Sequence, residues 1–205
     1  MRTIALLSRK GGSGKTTLSI ALAVQAALEG ETCAALDLDP QASMMSWSDL
    51  REEESPAVIA TPAARLDKVL AGAEKQGVSL AVLDTMPHAE SSILKAARLA
   101  DFALVPVRPS LLDLVSIEQT LEICRLAKLR SVVVINAVKS RSLLVEAKNA
   151  IAKMDCELCP VPLWDRTDYP RSLAAGLSPV EYEPQGKASN EIQRLYKWLS
   201  THINI

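Results

Sequence analysis

The stretch Arg9-Lys10-Gly11-Gly12-Ser13-Gly14-Lys15-Thr16-Thr17 decides the fold. An apolar run, Ile4 to Leu7, precedes it, and a segment with helical spacing, Thr16–Glu29, follows it. A glycine-rich turn between a strand and a helix lets consecutive backbone N–H groups converge on one anion. The helix start adds the positive end of its dipole. In this context Lys15 is placed for the β- and γ-phosphates of a nucleoside triphosphate, and the Thr16 hydroxyl for Mg2+. The candidate nucleotide contacts are Gly11, Gly12, Ser13, Gly14, Lys15, Thr16 and Thr17.

Working outward, strand-like and helix-like segments alternate along all 205 residues. The β-rich runs are Thr3–Ser8, Cys33–Leu38, Ala57–Thr61, Ser79–Asp84, Phe102–Val107, Ser131–Asn136 and Leu158–Pro162. Helical spacing fills Thr16–Glu29, Pro62–Lys75, Ser91–Ala100, Leu111–Leu126 and Ser142–Met154. The runs IALL, LAVL and VVVI are apolar without alternation, as strands are when both of their faces are buried. The expectation is an α/β fold, a doubly wound and mainly parallel sheet with helices on both faces, forming a single domain over residues 1–205. Apolar residues make up 48% of the chain but aromatics only 3%, so the core is built from Ala, Leu, Val and Ile.

Two acidic stations accompany the loop. Asp37-Leu38-Asp39-Pro40-Gln41 ends an apolar strand. Residues two apart on a strand share a face, so both carboxylates point toward one site. Pro40 holds Asp39 extended. Leu80-Ala81-Val82-Leu83-Asp84 is four apolar residues followed by an acid, the pattern of a carboxylate that holds Mg2+ at the end of a strand. Ligands gather at the C-terminal ends of parallel strands, where all three stations fall.

Arg9 stands where the common phosphate loop has its first glycine, and Lys10 is an additional lysine. KGGSGKTT resembles the deviant Walker A motif of the ParA/MinD superfamily of ATPases, and DLDPQ resembles that family's second motif. Pro106-Val107-Arg108-Pro109-Ser110 with Leu112-Asp113-Leu114 is similar to a family segment lying near the nucleotide and the dimer interface. The resemblance implies ATP and Mg2+ as cofactors and a homodimer that sandwiches ATP. It makes Lys10 the residue that reaches the partner's nucleotide, and Asp39 the one that aligns the attacking water. Lys10, Lys15 and Asp39 are thus the catalytic set. Thr16, Asp37 and Asp84 are the metal set, with Asp37 in a supporting role. Asn136 and Pro162 are carried over as adenine contacts. Slow intrinsic ATP hydrolysis, stimulated by a partner, is expected. The resemblance is weakest over residues 44–78.

Net charge is −1, but residues 1–127 carry more acids than bases and residues 128–205 the reverse. A nucleic-acid surface is therefore sought in the C-terminal third. The segments Trp164–Arg171 and Gly176–Glu181 resemble the family region where basic residues hold DNA without sequence preference, which brings in Arg166 and Arg171. At about 100° per residue, Ile192, Leu195, Tyr196, Leu199 and Ile203 share one face of the last helix, and Lys187, Arg194 and Lys197 share the opposite face. An ordinary solvated helix face accounts for those three cations equally well. On the resemblance, the ATP dimer binds DNA, a centromere-binding adaptor stimulates hydrolysis, and the output is plasmid or chromosome segregation. With no DNA-reading segment before the first strand, operator recognition is left to the adaptor.

Other outcomes remain open. A MinD-like membrane ATPase needs the apolar face of the last helix free; core packing of that face, with no tail after Ile205, argues for no stable membrane association. An ATPase that positions another cargo is also open. Cys156 and Cys159 form a CxxC, which suits an iron–sulfur carrier only if two chains supply four sulfurs. Cys33 and Cys124 read as core, and His88 and His202 as surface. Met44, Met45 and Trp47 read as helical packing at the edge of the domain. The N-terminus lacks the pattern of a signal peptide, so a cytoplasmic, nucleoid-associated protein with reduced thiols is expected.

Overall fold

The computed structural model describes residues 1–87 and 89–203. His88, Asn204 and Ile205 lie outside the described residues, and so do the surface reading of His88 and the reading of a chain end at Ile205.

The elements in chain order are β1 (Arg2–Leu6), α1 (Lys15–Leu28), β2 (Cys33–Asp37), α2 (Ser43–Ser48), β3 (Ala57–Ala60), a 3-10 turn (Ala63–Arg65) leading into α3 (Leu66–Lys75), β4 (Leu80–Asp84), α4 (Glu90–Leu99), β5 (Phe102–Val107), α5 (Leu111–Ala127), β6 (Ser131–Ile135), α6 (Arg141–Ile151), β7 (Glu157–Leu158), α7 (Asp168–Ala174), α8 (Pro179–Tyr182) and α9 (Lys187–Ile203). The strands form one sheet in the order β3-β2-β4-β1-β5-β6-β7, with every pair parallel.

Strand alternation divides the core into two layers. Ile4, Leu6, Leu80, Val82, Val132 and Val134 face α1 and α9. Ala5, Leu7, Ala81, Leu83, Val133 and Ile135 face the layer of α3 to α6. The sheet is therefore covered on both sides, as the unbroken apolar runs imply. Small residues keep the layers close: Ala5, Ala81 and Ala103 are fully buried at the centre of the sheet.

The α9 stripe is buried as expected, with Ile192, Leu195 and Leu199 fully enclosed and Tyr196 and Ile203 nearly so. Lys187, Arg194 and Lys197 are exposed. Among the described residues no helix is long and apolar enough to cross a membrane.

Two local expectations are corrected. The last strand was expected over Leu158–Pro162 but spans Glu157–Leu158. Pro160 and Pro162 have no N–H to give to the ladder. The segment still follows β6, because Cys159 N–H donates to Val133 O at 2.8 Å and Leu163 N–H to Ile135 O at 2.9 Å. Met44 and Trp47 are fully enclosed on α2, within the core rather than at an edge.

Trp47 and Arg51 tie α2 to the C-terminal segment. Trp47 Nε1 donates to Leu177 O at 3.1 Å. The Arg51 guanidinium stacks on the Trp47 ring and donates to both Glu181 carboxylate oxygens at 2.8 and 2.9 Å, and to Gly176 O at 3.1 Å. Gly176 has φ +69°, and an added Cβ would lie 2.5 Å from Leu50 O. A side chain there meets both left-handed backbone strain and a clash with main chain. Gly176→Ala should destabilise the chain by about 2–4 kcal/mol, read as a lower urea midpoint at unchanged m-value; a midpoint within error of the parent would refute this packing.

Candidate functional site

The C-terminal ends of β1, β2 and β4 lie level. Leu6 pairs with Asp84, and Asp84 with Asp37. The loop leaving β1 therefore passes directly over both carboxylates. Gly14 caps α1 with φ 97°. A Cβ on Gly14 would fall 2.1 Å from Asn136 Nδ2, because Asn136 donates from Nδ2 to Ser13 O at 2.8 Å. Asn136, expected as a base contact, thus first fixes the backbone of the phosphate loop. The first turn of α1 contains no acidic residue of its own, and the carboxylate that approaches it, at Thr16, is Asp84 from β4.

Lys15 is buried and donates to Lys10 O at 3.3 Å. Burial lowers its pKa, and Asp84 and Asp39 oppose the shift. Asp84 is 1% exposed. Burial pushes its carboxyl up to about 7, against the Thr16 hydroxyl and the Lys15 ammonium. Ser19 Oγ also donates to Asp84, at 3.4 Å. Both groups are displaced toward neutrality, the result expected when desolvation outweighs mutual attraction.

Asp37 is also buried, and burial raises its pKa. Its oxygens accept from Asp39 N–H at 3.0 Å and from Met44 and Met45 N–H at 3.0 and 3.3 Å. Asp37 therefore organises the turn into α2. Asp39 is half-buried and accepts from Gln41 N–H at 3.0 Å. It lines a cleft of about 290 Å³ together with Gly11, Gly12, Gly14, Lys15, Thr16, Thr17, Thr85 and Arg108.

The residues fit an Mg2+-bound polyphosphate on two observations. Asp84 is a buried carboxylate whose ionisation is uphill without a cation. Ser13 Oγ is buried at the loop without a hydrogen-bond partner. Among the described residues no three His, Cys, Asp or Glu converge on a metal position. That suits Mg2+, which keeps waters and takes few protein ligands.

The Lys10 ammonium pairs with Asp113, which also accepts from Ser110 Oγ. A second cleft on the other side of Arg108 is lined by Thr17, Asn136, Ala137, Trp164, Asp165, Arg166 and Tyr169. Pro162, expected to line the base, does not reach this cleft; the chain is still bonded to β6 at Leu163, and Trp164–Arg166 line it instead. Arg166 is corrected as well. Its Nε donates to Glu191 at 2.7 Å, and Glu191 also accepts from Trp164 N–H and Tyr169 Oη. This ion pair fixes the cleft wall rather than offering a free cation to DNA. Arg171 is exposed. Sequence reasoning assigned no role to Arg108, Asp113 or Glu191; the first two lay in a quoted motif, and the third had no local signal.

Among the described residues Cys156 and Cys159 join no group of three His, Cys, Asp or Glu. Cys159 is buried and its thiol is pushed up to about 11, and half-buried Cys156 is also raised, in both cases chiefly by burial. His202 is stacked on Trp198.

Residues 4–180 match the CobQ/CobB/MinD/ParA nucleotide binding domain. The chain is 28% identical over 208 residues to the maintenance of carboxysome distribution protein A of Halothiobacillus neapolitanus, covering 94% of each chain. It is 28% identical over 125 residues to protein ParA of Rhizobium radiobacter, covering 60% of this chain and 56% of that one. The septum site-determining protein MinD of Pyrococcus horikoshii, solved with Mg-ADP, superposes with a TM-score of 0.83 at 16% identity, covering 98% of this chain and 96% of the other.

Replacing the buried acid separates stability from ligand binding. Asp84→Asn should leave the nucleotide-free chain at least as stable in thermal melts, since it removes an unfavourable buried charge. It should also abolish any Mg2+-dependent gain in ATP affinity measured by calorimetry. A variant that keeps the Mg2+ gain would remove Asp84 from the metal set.

Proposed function

Because the chain belongs to the CobQ/CobB/MinD/ParA nucleotide binding domain family, we propose that it is a ParA-type, ATP-dependent cargo-positioning ATPase that pairs over nucleotide and holds DNA without reading its sequence. The observation that carries this reading is Lys10. Its side chain is 37% exposed and pairs with Asp113, a contact that it would exchange for the nucleotide of a facing subunit. A two-fold interface reciprocates this contact and completes both pockets at once.

In this reading Gly11–Thr17 hold the phosphates with backbone N–H groups and the Lys15 ammonium. Thr16 and Asp84 hold Mg2+, which withdraws charge from the terminal phosphates. Asp39 orients water for in-line attack. Lys10 of the facing subunit stabilises charge that develops at the transition state. Asn136 and the Asn136–Tyr169 cleft receive the base. Hydrolysis is slow until an adaptor acts, and loss of the terminal phosphate reopens the pair.

The exposed cations Arg171, Lys187, Arg194 and Lys197 are the DNA contacts. Pairing doubles them, so the ATP form binds backbone phosphates more tightly. The exposed α9 face from Lys187 through Asn190, Gln193, Arg194 and Lys197 to Thr201 carries no acid. The buried apolar stripe on the other side of α9 supports DNA over a membrane as the surface engaged. On this reading the protein is associated with the nucleoid.

One observation favours a second reading of the cargo. Relatives named for carboxysome distribution align over 94% and 99% of this chain, whereas the ParA relative aligns over 60%. The cargo is then an intracellular body instead of a plasmid or chromosome, and a cargo-bound adaptor replaces the centromere-binding one. ATPase assays with the product of the neighbouring reading frame separate the two.

At low salt, ATP-loaded protein should co-sediment with sequence-neutral DNA about tenfold more tightly than ADP-loaded protein; equal affinities would overturn the DNA reading. Lys10→Ala should keep ATP affinity within about threefold and lose ATP-dependent dimerisation in light scattering. Dimerisation at wild-type strength would remove Lys10 from the interface.

A further inference from the structure

We propose that Arg108 is a phosphate ligand contributed by the same subunit, and that it favours a nucleoside triphosphate over a diphosphate. This rests on the nucleotide reading above.

Arg108 immediately follows β5, whose last residue is Val107. Pro109 restrains it to extended backbone, and Ser110 N–H donates to Arg108 O at 2.8 Å. The residue is therefore held on a short, fixed turn between a central strand and the start of α5, where Ser110 caps the helix. From this turn the guanidinium reaches over the phosphate loop. Its Nη2 and Cζ lie 3.7 and 3.9 Å from the position a Gly12 Cβ would occupy.

Arg108 lines both halves of the cleft, the phosphate half with Lys15, Asp39 and Thr85 and the base half with Asn136 and Trp164. It thus stands where a nucleotide must pass between them. It is exposed, and among the described residues no carboxylate lies within ion-pair distance of it. Arg108 adds a second cation to the half of the cleft that holds Lys15 and the start of α1, beside Asp39, and a polyphosphate is an anion with which both cations can pair. A guanidinium suits phosphate through paired, planar N–H donors, which an ammonium cannot reproduce. Its guanidinium lies beside Gly12, which precedes Lys15 in the loop, and it shares the phosphate half of the cleft with Lys15, Asp39 and Thr85. Its charge therefore acts on the distal phosphates, which differ between ATP and ADP.

Calorimetric titration of the full chain with Mg2+-ATP and Mg2+-ADP tests this. Arg108→Ala should weaken ATP about tenfold and ADP less than about threefold. Arg108→Lys should recover only part of the loss, and raising salt should narrow the gap between parent and variant. Melting of the nucleotide-free variant should match the parent, since the side chain is exposed. Equal losses for the two nucleotides, or affinities within twofold of the parent, would overturn the assignment. A parent chain that binds neither nucleotide would instead sink the nucleotide reading itself.

Discussion

Charged groups removed from water at one end of a parallel sheet are the constraint on which the rest depends. Lys15, Asp37 and Asp84 are each less than 10% exposed. Isolated ions in such positions cost several kcal/mol each, and the displacement of Lys15 and Asp84 toward neutrality registers that cost. The surroundings make the cluster tolerable. Asp37 accepts three backbone N–H groups, Asp84 is touched by Ser19, and Lys15 donates to a carbonyl. What the fold leaves unmet at this end is Ser13 Oγ, which is buried without a hydrogen-bond partner, and the Lys15 ammonium only partly offsets the burial of Asp84. The fold itself keeps the cleft ready for a charged ligand, with its largest cost already met by the two apolar layers that clamp the sheet.

Much of this was legible because the governing signals are local. IALL, LAVL and VVVI are strands buried on both faces, and the five helices with clear spacing lie within four residues of their expected ends. The loop and both acidic stations arrive together because strand length and parallel register alone bring Leu6, Asp84 and Asp37 level. What escaped the sequence depends on distant partners. The six residues of α2 are too few to show a period, and its start is set by Asp37. The short α7 and α8 take their places from Trp47 and Arg51, more than a hundred residues earlier in the chain. Arg166 reads as an exposed cation until Glu191 closes on it from α9. Pro162 illustrates the opposite error, since an apolar run suggested pairing that its missing N–H forbids.

The C-terminal third gains a different meaning from these contacts. Its net positive charge is not spread evenly. Arg166 is withdrawn into the wall of the cleft beside Asn136, while Lys187, Arg194 and Lys197 stand on the outer face of α9. The same helix therefore serves two surfaces: Glu191 supports the cleft, and three cations face outward. The segment from Gly176 to Glu181 is held by α2, whose first N–H groups are held by Asp37. The nucleotide motifs and the C-terminal segment thus share one short helix as a common support.

The thiols carry one last consequence. Cys33, Cys124 and Cys159 are buried, with acidities suppressed to about 12, 11 and 11, and Cys156 is displaced the same way. Alkylating and oxidising reagents act on the thiolate, a form nearly absent from these side chains at neutral pH. Three of the four thiols are thus shielded, and half-buried Cys156 is the one to replace before a dye is placed on a cysteine engineered on the outer surface.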